Sequence, residues 1–371
     1  MNILYITRKH PPSIGGMQTQ SYDFFEAISK KSNAYIISWG HSQLFLPFFM
    51  LYCMIKAAVI LSGKRIDVIQ LGDLVLSPAG LILKTLFKKP VLTVSHGKDS
   101  AYKGFLYELF VLKPARKLDR VICVSGYLKS RLCTRNFPEE KLTVIPNGIS
   151  QGKKDSIDIS KQGAIAELES RYGISLENKK IILSISRLVA KKGIEQFIRQ
   201  VFINIIKEEE NVLYLVAGDG PEKTSVMKAV NDLNLQEKVF LTGYIEHNSY
   251  AYKALFKAAD VFIMPNIRVK GDAEGFGLTA LEAASAVLPV IAYKVDGISE
   301  AIYTGKNGIL IDEGDHGLFA STLISFLKDT PRSQDFGKAA RDYVFSHFNW
   351  NKVADMYIDE YNFILNRSKN V

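Results

Sequence analysis

Short apolar and β-branched runs alternate with longer stretches of helical period from one end of the chain to the other. One series of runs falls at residues 3–7, 34–39, 68–70, 91–95, 121–124 and 142–145. A second falls at residues 180–186, 212–217, 239–242, 261–264, 289–293 and 308–311. Continuous apolar runs of this length, bounded by turn-forming residues, read as strands buried on both faces. Strands separated by helices form a parallel sheet, and two successive series form two. The expected class is therefore α/β, with two Rossmann-like, doubly wound parallel-sheet domains. Residues 150–164 are rich in Lys, Asp, Ser, Gln and Gly and read as a connection. This places the domains at 1–164 and 165–349. In the remaining segment, 350–371, Val353, Met356, Tyr357, Tyr361 and Ile364 recur at helical spacing. A terminal helix with one apolar stripe has to dock on a domain.

Composition narrows this picture without changing it. The 371 residues are 47% hydrophobic and 23% charged, which excludes a disordered, collagen-like or coiled-coil chain. Cys53, Cys123 and Cys133 are odd in number and show no CxxC spacing. They exclude a disulfide scaffold, argue against a zinc site and fit a reducing cytosol. Residues 1–6 lack a basic leader and read as the first strand rather than as a signal peptide.

Charge adds an asymmetry. Of the net +9, residues 1–150 carry +11, from 20 Lys and Arg against 9 Asp and Glu, and the rest carries −2. Such an excess reads as a solvated surface or as a face for a polyanion or an anionic membrane. No nucleic-acid module accompanies it, so nucleic acid is not an expected partner. The stretch 44–61 holds one charge, Lys56, and one proline, Pro47. Its length is at the lower edge for a membrane span, but a span would break the strand–helix alternation on both sides. A helix packed on the sheet is expected there, with partial insertion into a membrane interface as the second reading.

Ligands of open α/β sheets bind beyond the carboxyl ends of the strands, so the residues following each strand carry the candidate chemistry. Gly15 and Gly16 follow the first strand and open a helical stretch. Two glycines at a helix mouth let the backbone approach a phosphate, and the alternative is an ordinary turn. After the first strand of the second series come Arg187 and Lys192, a planar fork and a point charge suited to a pyrophosphate. The alternative is two solvated surface cations. The segment Glu274-Gly275-Phe276-Gly277-Leu278-Thr279-Ala280-Leu281-Glu282 places two glycines at a helix start, with backbone N–H groups of Gly277, Leu278 and Thr279 available to phosphate oxygens. Eight residues from Glu274 to Glu282 span roughly 12 Å if fully helical, enough for one carboxylate at each end of an extended ligand. The alternatives are a surface or first-turn Glu282, and a Glu274 that favours the helix dipole.

Taken together, the chain resembles the retaining family 4 glycosyltransferases, which have the GT-B fold. The resemblance rests on Gly15-Gly16, Ser95-His96-Gly97, Pro146-Asn147-Gly148, Arg187 with Lys192, Ala217-Gly218-Asp219-Gly220-Pro221, and Glu274-x7-Glu282. These occur in the family's order and cover nearly the whole chain. The resemblance implies two facing domains with the terminal helix crossing back onto the first. It implies that Arg187 and Lys192 neutralise the donor's pyrophosphate, that Glu282 holds the ribose hydroxyls, and that Glu274 contacts the transferred sugar. Gly275 and Phe276 stand in the same donor segment, and Gly277, Leu278 and Thr279 offer N–H groups to phosphate or sugar. Gly15 and Gly16 would close the phosphate site from the other domain, Ile245 would lie by the base, and His96 near the sugar and acceptor, unless His96 is a core histidine. Glu274, His96, Arg187 and Lys192 are the implied catalytic set.

The function so implied is retaining transfer of a hexose from a UDP- or GDP-sugar to a glycan or lipid-linked acceptor, in bacterial surface polysaccharide or glycolipid synthesis. The cell location would be the cytoplasm, at the inner face of the membrane, with peripheral contact to anionic lipid. No Asp-x-Asp is present, the nearest being Asp272-Ala273-Glu274. With Arg187 and Lys192 in place of a metal, no metal or cofactor is expected beyond the nucleotide-sugar co-substrate. A small soluble acceptor, a nucleotide-sugar epimerase and a non-catalytic binding protein stand as alternatives. Three departures from the family pattern stand out. Ala284-Ser285-Ala286 replaces an Ala-Cys-Gly-like segment, and Asp296-Gly297-Ile298-Ser299-Glu300 keeps one glycine of two. The loop 265–274 is long and carries Arg268 and Lys270, which would grip an anionic acceptor or form a lid.

Overall fold

In a computed structural model of the chain, all twelve expected strands form, each within a residue or so of its expected limits. The structure describes residues 1–13, 15–40, 45–97, 100, 102, 104–150 and 159–369. Ile14, Leu44 and most of the expected connection, residues 151–158, lie outside the described residues. The chain forms two compact units, Met1–Gly148 with Phe348–Val371, and Ile149–His347.

The first unit holds a parallel sheet of β1 (Asn2–Thr7), β2 (Asn33–Ser38), β3 (Val68–Leu71), β4 (Val91–Ser95), β5 (Arg120–Cys123) and β6 (Leu142–Val144). Its order is β2-β1-β3-β4-β5-β6. The second holds β7 (Lys180–Ile185), β8 (Val212–Ala217), β9 (Val239–Gly243), β10 (Val261–Met264), β11 (Val290–Tyr293) and β12 (Ile309–Ile311). Its order is β12-β11-β10-β7-β8-β9, again all parallel. Helices cover both faces of such sheets, which is why β3, β4, β8, β10 and β11 are buried at every residue. The strand order reverses between β1 and β3 in one unit and between β7 and β10 in the other. Ligand crevices form at such switch points.

The alternation of side chains along β1 sorts the helices of the first unit. Leu4 and Ile6 enter a core built from α2 (Leu46–Gly63) and α3 (Ser77–Phe87). Tyr5 points the other way, its ring 5.0 Å from Phe24 of α1 (Gly16–Ser29). The terminal helix, Trp350–Lys369, packs on α1, with the Phe24 and Tyr357 rings 4.7 Å apart. Polar contacts fix its register: Lys31 to Asp355 at 2.6 Å, an Arg120–Glu360 ion pair, and Tyr361 OH donating to Gln70 Oε1 at 3.0 Å. The docking expected of 350–371 is thus built on this unit. Helix α2 lies on the sheet, sending Phe49, Cys53, Ala57 and Leu61 into the core, in agreement with the packed reading of the 44–61 stretch.

The unit limits differ from the expected ones. They fall at 148/149 and 347/348 rather than at 164/165 and 349/350. Helix Lys161–Tyr172 belongs wholly to the second unit, where it packs on helix Tyr250–Ala258 and Lys161 reaches Asp260 at 2.5 Å. Among its residues only Ala164 and Leu168 are buried, so its polar surface reads in sequence as a continuation of the connection.

Tyr361 and Gln70 are fully buried, so Tyr361→Phe strands the Gln70 acceptor. The expected cost is about 1–3 kcal/mol, read as a lower urea midpoint at unchanged m-value. An unchanged midpoint would mean that this contact does not hold the terminal helix.

Candidate functional site

The switch point of the second unit brings the loop after β7 against the loop after β10. Gly193 ends the first of these with φ +65°, and a Cβ there would sit 2.0 Å from the Pro265 carbonyl oxygen. The contact carries two lysines to the acidic side of the site. Lys192 Nζ lies 2.6 Å from Glu274 Oε2, with the two side chains 13% and 17% exposed. Lys191 Nζ donates to Asp272 Oδ1 at 2.9 Å and to the Ala273 carbonyl at 2.7 Å. Asn266, buried just after β10, donates to Glu274 Oε2 at 3.3 Å.

Glu274 stands in extended chain ahead of the helix Leu278–Ser285. The 12 Å estimate for a fully helical Glu274–Glu282 therefore does not hold, since four of those residues precede the helix. Nor is Glu274 a dipole-favouring first-turn charge, because its partner is a lysine. Gly275, Phe276 and Gly277 are buried and lead into the helix, whose first turn lacks a side-chain cap. The first N–H groups of a helix have no partner within it, and those of Leu278 and Thr279 have none among the described residues. The end of the helix thus carries free donors and a positive dipole end, the combination that binds anions.

The departure at Asp296-Gly297 acquires a physical role. Asp296 adopts φ +49°, a left-handed conformation that Asp tolerates better than most residues. Its Oδ2 accepts the Glu274 N–H at 3.0 Å. The retained Gly297 donates its N–H to the Glu274 carbonyl at 3.0 Å, and a Cβ there would meet the Gly275 carbonyl oxygen at 2.1 Å. One glycine suffices because Asp supplies both the backbone geometry and an acceptor.

Glu282 is buried, which excludes the surface alternative. His247 Nε2 lies 2.9 Å from its Oε1, and Tyr252 OH donates to Oε2 at 2.6 Å. An ionised carboxylate accepts but cannot donate, so Nε2 carries the proton. Burial, and then the Glu282 charge, push the Tyr252 phenol well above its usual range, so the phenol stays a donor at neutral pH. His247 comes from the loop after β9, as does half-buried Ile245.

Arg187 behaves differently from Lys192. It is exposed, and its guanidinium has no ion-pair or hydrogen-bond partner among the described residues. The loop after β8 closes over its neighbour, since a Cβ on Gly218 (φ +142°) would lie 1.8 Å from the Ser186 carbonyl oxygen. Arg268 is pinned within the unit, pairing with Glu313 at 2.6 Å and donating to the Lys294 carbonyl. This argues against Arg268 as a free hand for an acceptor.

In the first unit, Gly15 caps α1 at φ +147°, and its carbonyl accepts the N–H groups of Gln18 and Thr19. A Cβ on Gly16 would meet nothing within 4 Å, so packing does not demand that glycine. His96 follows β4 and is half-buried. Its Nε2 lies 2.9 Å from the carbonyl of Gly72, which follows β3. Thr7, Lys9, Gly72, His96, Asn147 and Trp350 help line one cavity at these strand ends, so His96 is not a core histidine. Burial and the adjacent Arg8 charge lower the pKa of Lys9.

The expected donor-binding residues of the second unit (Arg187, Lys192, Ile245, Glu274, Gly275, Phe276, Gly277, Leu278, Thr279 and Glu282) therefore follow strands β7, β9 and β10, and in the first unit Gly15 and Gly16 follow β1 and the expected catalytic His96 follows β4. Sequence reading missed Lys191, Asn266, His247, Tyr252 and Asp296. Asn266 is the one with a signal, a polar residue two places past a buried strand.

Comparison with known proteins gives the class and then the family. The profile described as glycosyl transferases group 1 matches residues 168–343, and that described as Glycosyltransferase Family 4 matches residues 17–152. The alpha-monoglucosyldiacylglycerol synthase of Streptococcus pneumoniae is 30% identical over 316 residues, spanning 82% of this chain and 69% of that protein. The N-acetyl-alpha-D-glucosaminyl L-malate synthase of Bacillus anthracis is 31% identical over 282 residues, 76% of this chain and 69% of that protein. The crystal structure of Anabaena HepE with UDP and glucose superposes with a TM-score of 0.74 at 18% identity, over 97% of this chain and 99% of that one. The fold is that of a GT-B glycosyltransferase. The chain belongs to the family 4 glycosyltransferases.

Tyr252→Phe removes one of the donors to Glu282. Hydrogen bonds to charged groups contribute about 1.5–3 kcal/mol, so the thermal midpoint should fall and nucleotide affinity with it. A variant matching the wild type in both would remove Tyr252 from the site.

Proposed function

We propose that this glycosyltransferase is a retaining hexosyltransferase that uses a UDP- or GDP-sugar without a metal ion. Its acceptor is a glycan or lipid-linked molecule of bacterial surface polysaccharide or glycolipid synthesis. It works in the cytoplasm at the inner face of the membrane, in peripheral contact with anionic lipid. The observation that carries the reading is the Lys192–Glu274 contact beside the uncapped helix Leu278–Ser285, with Arg187 unengaged nearby in sequence. Cleaving a sugar–diphosphate bond builds negative charge on the leaving group and positive charge on the anomeric carbon.

Arg187 and Lys192 meet the first charge, helped by the N–H groups of Gly277, Leu278 and Thr279. Glu274, released from Lys192 as the diphosphate takes that cation, contacts the sugar. Glu282, oriented by His247 and Tyr252, binds the ribose hydroxyls, and Ile245 lies by the base. In the first unit, Gly15, Gly16 and His96 follow β1 and β4 on the carboxyl edge of their own sheet, where ligands of such sheets bind. As the anomeric C–O bond breaks, a donor phosphate oxygen takes the acceptor hydroxyl proton. The acceptor oxygen then bonds to the anomeric carbon on the same face, which retains configuration.

The pneumococcal relative is named for a glucosyl diacylglycerol product, and this supports a lipid acceptor. The Bacillus relative is named for L-malate and favours, as a second reading, a small soluble acceptor.

A panel of UDP- and GDP-hexoses with lipid and soluble acceptors, read by proton NMR of the new anomeric centre, tests this directly. Retention is expected, and an inverted product would contradict it. Lys192→Ala and Glu274→Ala are each expected to lower kcat by about 100-fold or more with the fold intact by circular dichroism, the thermal midpoint falling only by the loss of the pair. Wild-type rates in either would sink the role assigned.

A further inference from the structure

Helix α2 is the one helix among the described residues long and apolar enough to cross a membrane. It cannot cross one here. It connects β2 to β3, both strands of the same sheet, and its Phe49, Cys53, Ala57 and Leu61 face the core. Its opposite side is also apolar: Phe48, Leu51, Ile55 and Val59, spaced at three and four residues, are each at least 60% exposed. A helix that is apolar all round is ordinarily buried all round. The feature extends beyond α2. Helix α3 packs beside it and exposes Ile82 and Leu86, and the helical run 105–115 packs on α3 and exposes Phe105, Leu106 and Phe110. Large exposed apolar residues on three adjoining helices mark an interaction site.

Charge selects the occupant. The chain carries no Asp or Glu between Glu26 and Asp67, and α3 carries none. Exposed Lys88, Lys113 and Lys117 border the apolar residues and have no carboxylate partner among the described residues. Lys84 and Arg116, by contrast, are held by Asp119 and Glu108. A second copy of the chain would bring two basic faces together and repel, whereas an anionic bilayer matches both the apolar surface and the charge.

We propose that the outer sides of α2, α3 and the run 105–115 form one docking surface for an anionic bilayer. Phe48, Leu51, Ile55, Val59, Phe105 and Phe110 enter its interface, and Lys88, Lys113 and Lys117 meet the headgroups. Phe45 and Phe105 follow the carboxyl ends of β2 and β4. The surface thus runs along the helical face from that carboxyl edge of the sheet to its amino edge, where Lys88 and Lys117 precede β4 and β5. The inference rests on the membrane-facing reading for its purpose, and its test needs neither donor nor acceptor.

The test is flotation of the purified full chain with phosphatidylcholine vesicles, with and without phosphatidylglycerol, at low and high salt. The wild type should float with phosphatidylglycerol vesicles and lose much of that binding in high salt. Phe48→Gln with Ile55→Gln should bind at least 10-fold more weakly with an unchanged thermal midpoint. Lys88→Gln, Lys113→Gln and Lys117→Gln together should abolish the preference for anionic lipid. A wild type that stays in solution would overturn the surface, as would apolar variants that float normally. So would a dimer dissolved by Phe48→Gln without vesicle binding, which would assign the face to a second copy. Vesicle binding without sugar transfer would count against the catalytic reading alone, and transfer to a soluble acceptor without vesicle binding against the surface alone.

Discussion

The contact between Lys192 and Glu274 is the constraint around which the second unit is arranged. It joins the loops that follow β7 and β10, the two strands between which the sheet order reverses. Holding opposite charges 2.6 Å apart in a partly dry crevice requires both loops to be fixed. Each fixing element has a visible cause: Gly193 against Pro265, Gly297 against Gly275, and Asp296 on the Glu274 amide. On the proposed reading, an entering diphosphate takes Lys192 from Glu274, and the fixed loops keep the lysine and the free helix end in the crevice while that exchange occurs.

Much of this was legible in the amino-acid sequence. Strands buried on both faces declare themselves as continuous apolar runs, so the two sheets were readable. Residues in the loops that follow strands, such as Arg187 after β7 and Gly15 after β1, were placed by topology. What was hidden depends on partners far apart in sequence. His247 and Tyr252 precede Glu282 by some thirty residues, in a polar loop and on an amphipathic helix, and no spacing links them to it. The replacement of a glycine by Asp296 reads as a loss until its side chain is seen on the Glu274 amide. The unit limit falls at 148/149 rather than 164/165, and the helix that starts at Lys161 buries only two residues, so its first turn reads as part of the connection.

The first unit illustrates a related limit. Its basic excess and apolar stretch were visible as totals, but a total does not distinguish a paired lysine from a free one. Lys84 and Arg116 belong to internal ion pairs, and Lys88, Lys113 and Lys117 have none among the described residues. Likewise, an apolar helix satisfies the core with one side, and three-dimensional packing alone reveals that the other side remains uncovered.

The central claim is that protein cations, rather than a metal ion, neutralise the donor's pyrophosphate. The most direct measurement is calorimetric titration of UDP, GDP and the parent nucleosides into wild type and Arg187→Ala, each with chelator and with magnesium. One diphosphate should bind equally well under both conditions, and Arg187→Ala should weaken the diphosphate far more than its nucleoside. Diphosphate binding that requires magnesium, or equal losses for diphosphate and nucleoside, would contradict the account.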